Sequence, residues 1–286
     1  TLGSELVGPS GVVIIISFGE KVDNFDLSDI ELTHVPGSLS ALQASPDGMT
    51  YSTVFTPNLG VVSSSNQITV IPGNYADTAG NPGLGGSSAN FAIDTDGPRI
   101  TTITLSDNIL SSSDVLAVTI KFSEAVINFD ATDIDLSGAA VQWISLDMLS
   151  PDEYRAIFSP LPGYEQSLNQ LIIHGSQYAD QAGNVGSDAY TPIFAVDSVA
   201  PTPHIVNGTT LSNMGGFDFS VLFDEPVIGF SLVDLKIAGV PGSISYLGES
   251  IDGKSFDFHF TPMMGSQASS ASIYVSGSGY LDLAGN

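Results

Sequence analysis

Phe122-Ser-Glu-Ala-Val-Ile-Asn-Phe-Asp-Ala-Thr-Asp-Ile134 decides the fold, because it occurs three times. Its other versions are Phe18-Gly-Glu-Lys-Val-Asp-Asn-Phe-Asp-Leu-Ser-Asp-Ile30 and Phe223-Asp-Glu-Pro-Val-Ile-Gly-Phe-Ser-Leu-Val-Asp-Leu235. Two more motifs follow each in the same order. The first is Phe55-Thr-Pro57, Phe158-Ser-Pro160 and Phe260-Thr-Pro262. The second is Tyr75-Ala-Asp-Thr-Ala-Gly-Asn81, Tyr178-Ala-Asp-Gln-Ala-Gly-Asn184 and Tyr280-Leu-Asp-Leu-Ala-Gly-Asn286. Recurrence at an offset of about a hundred residues is the mark of a repeat protein, and the period fits one immunoglobulin-sized sandwich.

The segments between the motifs read as strands. Leu116, Val118, Ile120 and Phe122 share one face, with Thr119 and Lys121 on the other. Phe217, Phe219, Val221 and Phe223 repeat that face, while Val12 to Ile16 is apolar on both sides. Tyr51, Thr53 and Phe55 alternate in the same way, as do Tyr154, Ala156 and Phe158, and Phe256, Phe258 and Phe260. A later strand carries Ile68 and Val70, then Leu171 and Ile173, then Ile273 and Val275. Period-two alternation between turn residues predicts half-buried antiparallel strands in two packed sheets. No stretch keeps a helical period. The expected fold is all-β: three tandem immunoglobulin-like antiparallel β-sandwiches in an elongated array.

Asp94-Thr-Asp-Gly-Pro98 and Asp197-Ser-Val-Ala-Pro201 mark the joints, since proline stiffens the chain and disfavours helix before it. The expected units are residues 1–94, 95–197 and 198–286. The middle one is complete, opening on Arg99-Ile-Thr-Thr-Ile103 as its first strand. Thr1-Leu2 aligns with Thr104-Leu105, so the first unit should lack that strand. The third unit should lack the last strand, which Ala189 to Val196 supplies in the second. A sandwich short of an edge strand exposes backbone donors and acceptors. The array is therefore expected to continue on both sides, within a longer chain or through strands from neighbouring chains.

Composition excludes several classes of function. The 286 residues include 31 Asp or Glu against 6 Lys or Arg, a formal net charge of -25. Phosphate backbones and anionic bilayers would both be repelled, so neither nucleic acid nor membrane insertion is expected. Cations are attracted instead, and the charge keeps an array soluble. A hydrophobic content of 42% is enough for packed cores. With no cysteine, no disulfide staples the units.

Together the motifs resemble the bacterial Ig-like repeats of large secreted surface adhesins and biofilm-associated proteins. The resemblance rests on Phe122-Ser-Glu-Ala-Val126, Asp133-Ile134, Asp180-Gln-Ala-Gly-Asn184 and Asp94-Thr-Asp-Gly-Pro98, and covers the chain copy by copy. Gly19-Glu-Lys21, Pro226 and the single Asp of the second linker depart from the pattern. The resemblance implies a secreted or cell-surface, non-enzymatic stalk, often stiffened by Ca²⁺, for attachment or biofilm formation. Its expected partners are neighbouring repeats of the same or an identical chain, with a host or matrix ligand as a further candidate. A self-assembling extracellular fibre or surface layer with strand exchange is the alternative. A third possibility is an accessory array of a secreted hydrolase.

Strand order argues separately for a metal. Successive antiparallel strands reverse, so Glu124, Asp133 and Asp180 should share one end of the second repeat. The linker acids Asp94 and Asp96 enter at that end. The second joint should gather Asp197, Glu225, Asp234 and Asp282, and the first repeat offers Glu20, Asp29 and Asp77. Crowded carboxylates repel unless neutralised, and oxygen ligands without His or Cys favour Ca²⁺, bound in extracellular modules at about 10⁻⁴–10⁻³ M. The competing reading is turn chemistry alone: Asp-x-Ala-Gly-Asn also makes a good turn. No catalytic site is expected. None of His34, His174, His204 and His259 recurs between copies, and Trp143 is expected to pack. Asn207-Gly-Thr209 has the form of a glycosylation sequon but is read as a turn.

Overall fold

The computed structural model describes residues 6–32, 34–207, 215–266, 271–277 and 279–286. Among them the chain is all-β, and its helical turns are four three-residue 3-10 segments. The side chains of the Asn207–Thr209 sequon and the segment Thr1–Leu2 lie outside the described residues.

The second repeat shows the plan. Ile100–Leu105, Leu116–Phe122, Glu153–Pro160 and Val141–Ser150 form one antiparallel sheet in that order. The opposing layer has two parts. One orders Ile109–Leu110, Phe194–Asp197 and Glu165–Asn169; the other orders Ile134–Asp135, Ile172–Ile173 and Ala189–Tyr190. Between Leu105 and Ile109 the chain changes sheets, and Ile109–Leu110 then pairs in parallel with Phe194–Asp197.

The alternation read from sequence produces the core. Leu116, Val118, Ile120 and Phe122 are buried while Ala117, Thr119 and Lys121 are half-exposed. Tyr154, Ala156 and Phe158 join them, and Leu171, Ile173, Phe194 and Val196 close the core from the other layer. Trp143 packs edge-on against Phe158 at 5.1 Å.

The recurring aromatic residues converge on one another. Phe122 meets Phe129 and Tyr178 at 5.2 and 5.1 Å, and Phe129 meets Tyr154 at 4.9 Å, all edge-to-face. Phe18, Phe25, Tyr51 and Tyr75 build the same cluster in the first repeat, and Phe223, Phe230, Phe256 and Tyr280 build it in the third. Each such pair is worth about 0.5–1.5 kcal/mol beyond its buried area. The motifs thus keep their aromatics because each supplies one wall of a shared cluster. Just before the second Phe the backbone is left-handed at Asn24, Asn128 and Gly229 (φ 63, 63 and 83). Asn tolerates that region and Gly enters it freely, so this position holds only those two residues here.

The outer repeats follow the plan with omissions. Pro203–Asn207 in the third repeat corresponds to Ile100–Leu105. In the first repeat no counterpart occurs among the described residues. Phe91–Asp94 is the first repeat's version of Phe194–Asp197, paired on both sides with Leu6–Val7 and Val62–Asn66. The third repeat shows no counterpart of it among the described residues.

Candidate metal centres at the joints between repeats

Each joint is assembled by short local structures that aim a carboxylate at the same point. Asp94 and Asp197 end their strands, and each carboxylate accepts from a backbone N–H two residues on, that of Asp96 at 3.2 Å and of Val199 at 3.3 Å. The next linker residue pins the joint to the preceding repeat. Thr95 Oγ1 donates to Asn58 O at 2.7 Å, and Ser198 Oγ to Leu161 O at 2.7 Å. Glu124 and Glu225 stand two residues past the ends of the central strands Leu116–Phe122 and Phe217–Phe223.

Asp180 and Asp282 begin the Asp-x-Ala-Gly-Asn turns. Asn184 donates its backbone N–H and its side-chain amide to the two oxygens of Asp180, at 2.9 and 2.7 Å. Asn286 does the same to Asp282, both at 2.8 Å. The same amides also reach across the joint, Asn184 Nδ2 to Asp94 O at 3.0 Å and Asn286 Nδ2 to Asp197 O at 2.7 Å. A second loop of the preceding repeat meets each turn. Ser112 N donates to Asn286 Oδ1 at 2.7 Å, and Gly8 lies so close to the carbonyl of Ala182 that it has no room for a Cβ.

These contacts bring two sets of three acids together, Asp94 with Glu124 and Asp180, and Asp197 with Glu225 and Asp282. Within each set one oxygen per carboxylate lies within 4.8 Å of the others. Asp180 and Asp282 are buried and the rest half-buried. Burial, then the charges of Asp94, Asp180 and Asp96, push the Glu124 carboxyl up, and Arg99 opposes this. At the second joint burial, then Asp197 and Asp282, push Glu225 up to about 7 from 4.5. Asp94 and Asp197 are raised too, burial again being the largest cause. An all-oxygen donor set of clustered carboxylates fits a hard divalent cation, and Ca²⁺ in particular takes six to eight oxygens in flexible geometry.

The remaining residues expected at these sites are not in either group of three, although the charge of Asp96 still acts on Glu124 and Asp94. Asp133 caps the turn Ala131–Asp133, accepting from Asp130 N at 2.8 Å. Asp29 and Asp234 do the same toward Asp26 N and Ser231 N, at 2.8 and 2.9 Å. Asp96 pairs with Arg99 at 3.2 Å. Asp77 accepts from Asn81 in its own turn, and Glu20 is exposed; they belong to no group of three among the described residues. Sequence reading places Asn184 at this end of the repeat beside Asp180, but not its bond to the linker, and it passes over Glu165. Asn184 and Asn286 staple the linkers, and Glu165 adds its charge to Glu225 and Asp197. The Asn is fixed in all three motifs, which was the available signal; Glu165 arrives from a distant strand with none.

His174 faces Asp135 and Asp188 at 3.9 and 4.0 Å, and His259 bonds Asp218 at 2.5 Å and Gly215 O at 2.8 Å. Among the described residues no helix is long and apolar enough to cross a membrane.

A comparison with curated proteins finds no match. Among solved structures, the Escherichia coli adhesin FdeC is 11% identical, with 98% of this chain and 93% of that one covered and a TM-score of 0.37. The titin I-band fragment I67–I69 is 10% identical, covering 91% and 86%, also at 0.37. Yersinia pseudotuberculosis InvD is 11% identical, covering 97% and 82%, at 0.31. Likenesses this distant carry no argument about activity. The pattern of the bacterial Ig-like domain matches residues 4–93, 94–194 and 197–286. The chain belongs to the bacterial Ig-like domain family, as three tandem copies.

Proposed function

We propose that the chain is a non-enzymatic structural segment of a bacterial cell-surface adhesin, an extended stalk for attachment or biofilm formation whose joints are stiffened by Ca²⁺. The observation that carries this reading is the repetition of one acid set at both joints, Asp94, Glu124 and Asp180, then Asp197, Glu225 and Asp282. One acid of each set comes from the linker and two from the following repeat. A cation held by all three would couple the linker to that repeat and restrict its swing. It would also offset the burial, and then the repulsion between carboxylates, that raise Glu124 and Glu225.

The competing account is that these acids serve turns alone, as the Asn184 and Asn286 bonds would allow. Calorimetric titration with CaCl₂, with melting and small-angle scattering in Ca²⁺ and in chelator, separates the two. The proposal expects two sites per chain, a higher melting temperature and a narrower spread of lengths in Ca²⁺. Absence of binding heat together with identical melting in chelator refutes it.

A further inference from the structure

On the outer face of the third repeat's main sheet, Asp218 on Phe217–Phe223 stands directly opposite His259 on Ser255–Pro262. The register puts Ala117 and Ile157 at these positions in the second repeat, and Val13 and Val54 in the first. A pair that can carry charge thus replaces an apolar pair. His259 uses both ring nitrogens: Nδ1 faces Asp218 Oδ1 at 2.5 Å and Nε2 faces Gly215 O at 2.8 Å. A carboxylate and a carbonyl only accept, so the imidazolium, with two N–H groups, satisfies both. A neutral ring has one N–H, and its other nitrogen points a lone pair at an acceptor. The bond to Asp218, then that to Gly215 O, push the imidazole above its usual range, and burial opposes them.

Gly215 and Gly216 lead the chain into the strand Phe217–Phe223. Gly216, at φ 81, lies against Phe260 O with no room for a Cβ, so this entry runs close beside the strand of His259. In the second repeat the counterpart of Gly215 is Asp114, whose carboxylate accepts from Ser111 N and Oγ, both at 2.7 Å. Glycine offers no such side chain, and here His259 holds the backbone carbonyl. The other polar groups near the ring are on the two strands beside it. Asp257, two residues earlier on the same face, accepts from Ser220 Oγ at 2.6 Å. Ser245 stands opposite His259 on Gly242–Glu249, where the Tyr246 hydroxyl donates to Glu249 at 3.2 Å.

We propose that His259 is a proton-operated latch that ties the entry of the strand Phe217–Phe223 to the strand Ser255–Pro262, closed as the imidazolium and loosened when the ring loses its proton. The closed latch joins three groups, Asp218, His259 and the carbonyl of Gly215. Loss of the proton replaces one of its two bonds by two acceptors facing each other, and the entry at residues 215–217 is the part that gives. Because the folded value is raised above 6.5, the stabilisation is present below that pH and lost as pH rises through the folded value. The third repeat therefore answers to pH at a place where the first two have apolar pairs. Neither Asp218 nor His259 belongs to an acid set at a joint, so the latch does not depend on Ca²⁺.

The test follows the intact chain by NMR through a pH titration in chelator, with the His259 ring signals identified by their loss in His259→Gln. His259 should titrate above pH 6.5, and Asp218→Asn should lower its midpoint. Hydrogen exchange at residues 215–217, corrected for its intrinsic dependence on pH, should lose about threefold or more of its protection as the ring deprotonates. His259→Gln, neutral at every pH, should flatten that local profile and leave exchange in the rest of the third repeat as it was. A midpoint at or below 6.5, protection at residues 215–217 that ignores pH, or the same profile in His259→Gln overturns the proposal. Protection lost equally throughout the third repeat also overturns it, since that response belongs to Glu225.

Discussion

Replacing Glu225 by Gln should stabilise the third repeat without metal and remove its response to Ca²⁺. The Glu225 carboxyl stands at about 7 in the folded chain, against 4.5 ordinarily, because it is buried beside Asp197 and Asp282. A shift of one pH unit is worth about 1.4 kcal/mol, so a displacement of this size corresponds to about 3 kcal/mol at full effect. Glu225 is only half-buried, and solvent screening reduces that to about 1 kcal/mol. Since the folded value is raised, the stability it contributes is present below pH 4.5 and lost as pH rises through about 7. In chelator at pH 8, Glu225→Gln should therefore melt higher, by about 4–8 °C for a domain of this size. Between pH 8 and pH 5 the parent should gain on the variant until the difference closes. In millimolar Ca²⁺ at pH 8 the order should reverse, because the variant has lost a charged ligand. Differential scanning calorimetry in both buffers measures all of this. A lower melting point for the variant in chelator, or an equal rise with Ca²⁺ in both proteins, would refute the reasoning.

Three further outcomes are expected. Asp133→Ala removes the cap on Asp130 N and should cost about 1–2 kcal/mol in thermal unfolding, with the Ca²⁺ response intact; loss of that response would place Asp133 in the metal set after all. Tyr178→Phe leaves the Ser187 carbonyl without its donor at 3.1 Å and should cost about 1 kcal/mol, read by urea denaturation. No change would mean that water takes over the bond. Gly97→Ala places a Cβ against the carbonyl of Val185, so the first joint should open while both repeats stay folded. Scattering should then show a wider spread of lengths, and an unchanged curve would show that the contact yields.

Most of the fold was legible because it is written in local periodicity. The face Leu116, Val118, Ile120 and Phe122 can be buried only as a strand, and each recurring Phe and Tyr announces the same cluster. The acids were legible as a population at one end of each repeat, but their division was less so. Asp133 and Asp180 are both buried, yet Asp133 turns back to its own helical turn and Asp180 faces the linker. Asp130-x-x-Asp133 has the spacing of a capping box, and Asp96 stands three residues from Arg99. Both signals were present in the sequence, and strand order alone passed over them.

The sequence by itself determined an all-β fold of three tandem Ig-like repeats, since strand alternation and turn chemistry act over a few residues. Only the tertiary structure decided which carboxylates meet. Asp94, Glu124 and Asp180 come from three separated segments, and their oxygens lie within 4.8 Å of one another where the Asn184 amide also bonds the linker at Asp94 O. Their repulsion depends on that distance and on burial, and neither quantity exists in the unfolded chain.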